Sequence, residues 1–127
     1  MFRKTHPIIG TRDINHAIEF YVQRLGFRLA FQDDTETPHY VGFARDEVEL
    51  HMQFQYEHEM STIRLRFGVD DPDALFTEYQ QRGVECSASG ICDTPWGTSE
   101  FYLYDLDTNT LTFYSDLKSA ENEHPTS

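Results

Sequence analysis

The segment Arg12-Asp13-Ile14-Asn15-His16-Ala17-Ile18-Glu19-Phe20-Tyr21 decides the fold, because its pattern returns 58 residues later, from Asp71. Each copy follows a strand-like run and precedes a Gly and a second strand-like run. Counted from the Asp, three residue types recur at the same offset: Tyr21 and Tyr79, Gln23 and Gln81, Arg24 and Arg82. Two copies, each several elements long, exclude a solenoid array. The repeat predicts a duplicated half-domain, and a cleft between the two halves is where a ligand site is expected.

The chain has 127 residues, of which 14% are aromatic. One domain of this size can bury a core without disulfides or a metal. We predict a single domain over residues 1–117, with modules at about 1–58 and 59–117, and a flexible polar tail over 118–127. Cys86 and Cys92 are close enough in sequence to pair, but free thiols are expected in a reducing compartment.

The net charge of −12 and a pI near 4.7 exclude nucleic acid as a partner. An acidic field also steers cationic ligands towards a protein, although the same charge serves solubility. No run approaches the roughly 20 apolar residues that cross a bilayer. The first six residues contain no apolar stretch of signal-peptide type. We therefore expect a cytoplasmic protein without a membrane partner.

The first copy of the repeat is expected to contain one helix and four strands. Asp13 is a good N-cap, apolar residues follow it at a period of 3.6, and Gly26 ends the helix. In the next strand apolar and polar side chains alternate, so that Phe27, Leu29 and Phe31 are expected on one buried face. The four predicted strands are Pro7–Thr11, Phe27–Gln32, Tyr40–Ala44 and Val48–Phe54.

The second copy repeats this order. Its helix is capped by Asp71, has Pro72 at its first position and ends at Gly83. The order is therefore βαβββ twice, which is an α+β fold. The predicted strands are Ile63–Val69, Val84–Ala88, Glu100–Tyr104 and Leu111–Tyr114, with a loop over Ser89–Gly97.

Alternation along the strands separates an apolar face from a polar face. The apolar face is expected to cover the helices. The mixture on the other face is typical of a cup that holds a ligand, and the alternative is an ordinary solvated surface. The polar face carries Glu47, Glu49, His51, Arg64, Arg66, Tyr102, Tyr104, Thr112 and Tyr114.

Several short motifs resemble a known family. They are Thr11-Arg12-Asp13, Ala17, Glu19-Phe20, Arg24-Leu25-Gly26-Phe27, Gly42, Arg45-Asp46, Val48, Leu50, Pro95-Trp96-Gly97, Glu100-Phe101, Asn109 and Phe113. From about His6 to Asp116 the chain resembles the vicinal-oxygen-chelate superfamily, which includes glyoxalase I, extradiol dioxygenases, fosfomycin-resistance enzymes and bleomycin-binding proteins. Within it, the Pro-Trp-Gly and Glu-Phe motifs look most like those of bleomycin resistance proteins.

The resemblance implies a fold in which two βαβββ modules form a cupped mixed sheet. It also implies a homodimer with exchanged N-terminal arms and with ligand sites in the cups between protomers. Pro7 fits such an exchange, because Pro removes a ladder donor and suits a strand edge or crossing point. At the last turn Thr108 stands where the family has Gly. We expect a different turn there, since β-branched residues resist positive φ.

Metal-dependent members of the superfamily hold a divalent ion at positions that carry His6, Glu49, Arg64 and Thr112 in this chain. A guanidinium is always cationic and cannot ligate, and a threonine hydroxyl is a weak ligand. His51 shares a face with Glu49, but one substitute next to Arg64 leaves a poor set for a catalytic ion. We predict no bound metal and no cofactor. The alternative is a divalent-metal lyase, isomerase or dioxygenase with His6 and Glu49 as partial ligands.

Bleomycin-binding members need no metal and hold a flat cationic glycopeptide between aromatic side chains. By this resemblance Trp96 and Tyr40 are the stacking pair, and the flanking Pro95 and Gly97 place Trp96 at an exposed loop tip. We predict a non-catalytic protein that sequesters a planar aromatic, antibiotic-like ligand. The predicted ligand-binding residues are Tyr40, Glu49, His51, Arg64, Trp96, Tyr102, Thr112 and Tyr114.

Two questions stay open from the sequence. Arg64 and Arg66 suit an acidic or phosphorylated ligand better than a cationic one, so bleomycin is one candidate among several. A third hypothesis is a cup filled by its own side chains, in a protein whose role is interaction alone. A ligand-induced change in Trp96 fluorescence would separate that hypothesis from ligand sequestration.

Overall fold

The structure is a computed structural model that describes residues 1–117, so the predicted tail over 118–127 lies outside the described residues. A 3₁₀ turn at Glu57–Glu59 joins two halves that both have the predicted order βαβββ. The first half contains β1 (Ile8–Thr11), α1 (Ile14–Glu19) with a π-helical continuation (Phe20–Arg24), β2 (Arg28–Gln32), β3 (Tyr40–Arg45) and β4 (Val48–Phe54). The second half contains β5 (Arg64–Gly68), α2 (Pro72–Gln81), β6 (Cys92–Asp93), β7 (Thr98–Tyr104) and β8 (Thr110–Asp116).

Each half forms its own four-stranded mixed sheet. The first sheet has the order β1-β4-β3-β2 and the second the order β5-β8-β7-β6. β1 is parallel to β4 and β5 to β8, whereas the other neighbours are antiparallel. The duplicated sequence thus gives a duplicated topology, which confirms the predicted fold. Within residues 1–117, no helix is long and apolar enough to cross a membrane.

Both helices begin at the duplicated aspartates, as predicted. The side chains of Asp13 and Asp71 each accept a hydrogen bond of 3.1 Å from the backbone N–H three residues later. Each carboxylate thereby satisfies one of the N–H groups that a helix start leaves unpaired. Gly26 and Gly83 follow the helical segments, each with φ of 79°, which glycine adopts without strain.

The duplicated tyrosines lie at equivalent positions in the core. Tyr21 and Tyr79 are both buried, and each hydroxyl reaches into the other half. Tyr21 donates to Asp105 at 2.7 Å, and Tyr79 donates to the carbonyl of Leu25 at 2.9 Å. Burial, and then the charge of Asp105, raises the pKa of Tyr21 well above its ordinary value. The two halves therefore share one core, and neither tyrosine finds its hydrogen-bond partner within its own half.

The duplicated arginines also connect the halves. Arg24 donates to the carbonyls of Arg82 and Gly83 at 2.8 and 3.3 Å. Arg82 donates in return to the carbonyl of Gln23 at 3.0 Å. Carbonyls at the end of a helix have no partner inside the helix. Each half therefore completes the helix end of the other.

The prediction of a strand at Val84–Ala88 was wrong. Only the N–H of Ser87 makes a ladder-type bond, to the carbonyl of Tyr102 at 2.8 Å, and the chain then turns. The N–H of Gly90 closes that turn by donating to the carbonyl of Ser87 at 2.9 Å. The outer strand of the second sheet is β6 instead, which lies inside the stretch predicted as a loop.

Both cysteines are free thiols, as expected. Cys86 is half-buried and Cys92 is exposed. Burial raises the pKa of the Cys86 thiol. A thiol with a raised pKa holds little thiolate at neutral pH, so Cys86 is not an activated nucleophile.

The expectation that Phe31 shares the buried face of Leu29 was also wrong. In the β2–β3 ladder Leu29 pairs with Phe43, but Phe31 pairs with the adjacent Gly42, so a bulge lies between them. One extra residue in a strand reverses the alternation beyond it. The ring of Phe31 therefore lies over Gly42, where a Cβ atom would collide with it, and 40% of the side chain is exposed.

Thr108 adopts φ of 62°, so the expectation that this β-branched residue avoids positive φ was wrong. The Asp105 carboxylate fixes the turn by accepting hydrogen bonds of 2.9 Å from the backbone N–H groups of Asp107 and Asn109. The N–H of Thr108 donates to the Asp105 carbonyl at 3.1 Å. These bonds hold a β-branched residue in a conformation that it resists when alone.

Candidate functional site

Two polar faces, one on each sheet, contain almost all the predicted site residues. The first polar face consists of Phe31, Tyr40, Glu49 and His51, with His6 preceding β1. The second polar face consists of Arg64, Arg66, Glu100, Tyr102, Tyr104, Thr112 and Tyr114. Their partners on the opposite side of the strands, such as Leu50, Met52, Phe101 and Phe113, are buried, which confirms the predicted separation of faces.

A hydrogen-bonded chain crosses the first polar face. The hydroxyl of Tyr40 lies 2.8 Å from Nδ1 of His51, and Nε2 of His51 lies 2.9 Å from Oε2 of Glu49. The ring of His6 stacks on that of His51 with centroids 4.6 Å apart. Its Nε2 atom lies 3.8 Å from the same Glu49 oxygen. The bond with His51 lowers the pKa of Glu49, and the charge of His6 contributes.

The ring of His6 is oriented by contacts of both its nitrogen atoms with Glu49. Its Nδ1 atom lies 3.3 Å from the backbone carbonyl of Glu49, which can only accept a hydrogen bond. Its Nε2 atom is thereby directed at the Glu49 carboxylate, 3.8 Å away. The donor atoms of His6, Glu49 and His51 all lie within 4.8 Å of one another.

Phe31 extends the aromatic part of this face, although sequence reasoning missed it. Its ring stacks on Tyr40 with centroids 6.1 Å apart at 18° and meets His51 edge-on at 5.1 Å. Gly42 beneath the ring was the one signal in the sequence, because a glycine inside a strand indicates a bulge or a close approach. The face therefore combines a carboxylate, two imidazoles and two aromatic rings.

An ion pair organises the second polar face. Arg66 contacts both carboxylate oxygens of Glu100, at 3.1 and 3.4 Å, and its guanidinium lies 4.4 Å from the ring centroid of Tyr114. Although partial burial raises the pKa of Glu100, hydrogen bonds from Thr98 and Arg66 lower it overall. From the sequence, Arg66 was interpreted as suited to an acidic or phosphorylated ligand, and Glu100 was not among the predicted ligand-binding residues. The strand pairing could not be read from either residue alone.

Trp96 lies at a turn next to this face and is 67% exposed, so the expected loop-tip position is confirmed. The N–H of Gly97 closes the turn by donating to the carbonyl of Thr94 at 3.1 Å. On the neighbouring β7, Tyr102 and Tyr104 are 39% and 56% exposed, and their rings meet edge-on at 5.7 Å. The second polar face therefore presents large aromatic surfaces to solvent.

The predicted site residues fall into two separate groups within one chain. Tyr40, Glu49 and His51 are joined on the first sheet. The residues Arg64, Tyr102, Thr112 and Tyr114 lie on the second sheet, with Trp96 at its edge. Across the described part of the chain, no hydrogen bond, ion pair or ring contact joins Tyr40 to Trp96.

A family model for the Glyoxalase/Bleomycin resistance protein/Dioxygenase superfamily matches residues 4–113. The chain belongs to this superfamily. Bleomycin resistance proteins of Geobacillus stearothermophilus and Staphylococcus aureus are 24% identical to it over 134 aligned positions, which cover 89% of this chain and 96% of each relative. The resemblance seen in the motifs is therefore confirmed.

Solved structures show the same fold. The bleomycin-binding protein of Streptomyces verticillus, crystallised with copper(II)-bleomycin, has a TM-score of 0.73 at 23% identity and covers 94% of this chain and 98% of its own. The bleomycin resistance determinant encoded on transposon Tn5 has a TM-score of 0.75 at 20% identity, with 91% and 98% covered. TioX from Micromonospora sp. ML1 has a TM-score of 0.74 at 16% identity, with 92% and 98% covered.

Proposed function

We propose that this protein is a binding protein of bleomycin-resistance type, which sequesters a planar aromatic, cationic small molecule on its polar faces. The observation that carries the proposal is the set of exposed aromatic rings on and beside these faces. Phe31, Trp96, Tyr102 and Tyr104 are large aromatic residues that leave 39–67% of their surface in solvent. A flat ligand would cover these rings and gain both apolar burial and ring stacking.

The charges of the faces are compatible with a cationic ligand. Arg66 raised a doubt about such a ligand, but Glu100 neutralises it through a two-point contact. Arg64, the other guanidinium of the second polar face, has no ion-pair partner among the described residues, so the cationic part of the ligand should bind away from Arg64. The net charge of −12 favours the approach of a cation over long range. Similarity to bleomycin resistance proteins makes bleomycin the first ligand to test.

A homodimer is part of this proposal. A ligand stacked between Tyr40 and Trp96 needs both rings on one site, and a second copy of the chain can supply the ring that one copy lacks. The N-terminal residues support an arm that docks on a partner, because Met1 and Phe2 are fully exposed. Exposed apolar side chains at a chain end gain free energy when a partner covers them. Sedimentation that finds only monomer at micromolar concentration would exclude this arrangement.

Calorimetry with bleomycin tests the binding function. The protein is first stripped of metal with a chelator, and Trp96 emission is followed in a parallel titration, since Trp96 is the one tryptophan of the chain. We expect saturable heat and a saturable change in emission with the same midpoint. Heat without a change at Trp96 would place the ligand elsewhere, and the absence of both signals would exclude bleomycin.

A divalent-metal enzyme is the second candidate, and the cluster of His6, Glu49 and His51 favours it. Three donors meet the usual protein-ligand count of a catalytic metal site without Arg64 or Thr112. The other nitrogen of each imidazole also has a contact that orients the ring: Nδ1 of His51 lies next to the Tyr40 hydroxyl, and Nδ1 of His6 lies next to the backbone carbonyl of Glu49. A bound ion would supply Lewis-acid polarisation of a ligand oxygen.

Elemental analysis distinguishes the two candidates. About one transition-metal ion per chain, lost in the double variant His6→Ala and His51→Ala, would support the metal enzyme. Bleomycin binding that survives chelation would support metal-free sequestration.

A further inference from the structure

A pocket of about 440 Å³ lies on the helix side of the sheets, away from both polar faces. We call it the helix-side pocket. It lies between α2 of the second half and the β3–β4 turn of the first half. Its apolar lining consists of three phenylalanines of the buried core and two half-buried aliphatic residues: Phe27, Phe67, Phe113, Val48 and Leu75. A volume of this size is within the range of small-molecule sites.

The lining of the pocket has a surplus of negative charge. Five carboxyl groups and one guanidinium line it. The guanidinium of Arg45 is fully engaged, because it donates to both oxygens of Glu78 at 2.9 and 3.1 Å and to the carbonyl of Leu25 at 2.8 Å. The expectation that Glu47 lies on the polar face was wrong, because Glu47 lies in the β3–β4 turn and lines this pocket. Glu47 and Asp70 are exposed and accept no hydrogen bond from the residues that the structure describes. The rim therefore offers carboxylates whose charge no protein cation balances.

The duplication provides an internal comparison. The 58-residue offset places α1 where α2 lies, and a second cleft of about 650 Å³ lies between α1 and the β7–β8 turn. That cleft contains Glu19 and Glu85 together with Arg24 and His16. Its charges are mixed, and it lies along the later part of the helical segment, whereas the helix-side pocket lies at the start of α2. The surplus of carboxylates therefore distinguishes the helix-side pocket from this second cleft.

We propose that the helix-side pocket binds a small organic ammonium ion with an aromatic or aliphatic body. The apolar body covers the apolar lining, of which Val48 and Leu75 are half-buried, and the ammonium group lies among the carboxylates of the rim. Burial of the body supplies affinity, and the charge selects cations over anions of the same shape. This site is separate from the polar faces, so it stands or fails independently of the function proposed for them.

The test uses 2-phenylethylamine as probe and phenylacetate as an anion with a similar body. Binding is measured by amide chemical shifts and calorimetry at about 0.15 M salt, where long-range attraction is screened. We expect the amine to bind with a Kd of about 1 mM or tighter, as suits so small a ligand. The shifted amides should cluster at Val69, Ala74 and Leu75, and phenylacetate should not bind.

Three variants complete the design. The double variant Glu47→Gln, Asp70→Asn should weaken amine binding about tenfold, since two uncompensated charges are lost. The matched control is the double variant Glu19→Gln, Glu85→Gln, which removes the same charge from the second cleft and should change Kd less than about twofold. Ala74→Trp, at an exposed position on the rim, should block the pocket. The proposal is overturned if the amine does not bind, if phenylacetate binds equally, if the control weakens binding as much, or if the shifts map to the polar faces.

Discussion

Replacing Trp96 with alanine tests the proposed stacking surface most directly. Trp96 is 67% exposed and lies in a turn, so its loss should leave the free energy of unfolding within about 0.5 kcal/mol of wild type. A flat ligand that covers about 60 Å² of the indole gains about 1.5 kcal/mol from apolar burial. We therefore expect bleomycin binding to weaken by about 1–2 kcal/mol, which is a factor of about 5–30 in Kd.

The assay is calorimetry on the two proteins, with thermal unfolding measured in parallel. Leu106→Ala is the matched control, because Leu106 is 57% exposed at another turn and belongs to neither polar face. It should leave the affinity unchanged. A Trp96→Ala protein that melts far lower but binds as tightly would make Trp96 a structural residue, and the reasoning from exposed rings would then be refuted.

The remaining predictions concern stability. Thr108→Gly should raise the free energy of unfolding by about 1 kcal/mol, because glycine relieves the positive φ; a lower value in denaturant titration would contradict this. Arg24→Ala and Arg82→Ala should each lower the free energy of unfolding by about 1 kcal/mol through lost hydrogen bonds. The control Arg28→Ala, at an exposed position, should leave it unchanged, and equal effects of all three substitutions would refute the capping role. A hydrogen bond from Arg45 lowers the pKa of Glu78. The Glu78 carboxylate therefore stabilises the fold above the ordinary pKa of a glutamate, and this stabilisation is lost as the pH falls through the pKa of Glu78 in the folded state. Stability measured from about pH 5 to pH 3 should therefore fall less steeply in Glu78→Gln, and parallel curves would exclude the linkage.

Local sequence signals predicted the architecture well. The capping aspartates, the terminating glycines and the alternation along β4 are properties of a few neighbouring residues, and each behaved as its local chemistry requires. The duplication then fixed the order of elements, because a signal that is weak in one copy gains support from the other. This is why the order of elements in both halves followed from the sequence, whereas the order of the strands within each sheet did not.

The failures depended on partners that are distant in sequence or on backbone details. The bulge that turns Phe31 outward is defined by its pairing with β3, and nothing local to Phe31 announces it. Thr108 is held at positive φ by the carboxylate of Asp105, which overrides the preference of the threonine itself. In both cases a tertiary contact determined the conformation against the local preference of the residue.

In the candidate site, too, contacts within one strand could be predicted and contacts between strands could not. Glu49 and His51 could be placed together from their spacing on one strand, which is a local inference. His6 joins them because β1 runs parallel to β4 with Ile8 opposite His51, a register that the sequence does not encode in any short motif. The pairing of Arg66 with Glu100 similarly spans two strands. Predicted residues were therefore found on the right face, but their partners were not.

The exchange of contacts between Arg24 and Arg82 has a consequence for the origin of the chain. In a twofold-symmetric interface, residue i of one copy contacts residue j of the other while j contacts i. The two arginines reproduce this relation inside a single chain, since each donates to the other's helix end. A single ancestral half would satisfy its own helix end by pairing with an identical copy. Fusion of two genes that each encode such a half would keep both contacts. The two halves could then diverge, which fits the different chemistry of the two polar faces.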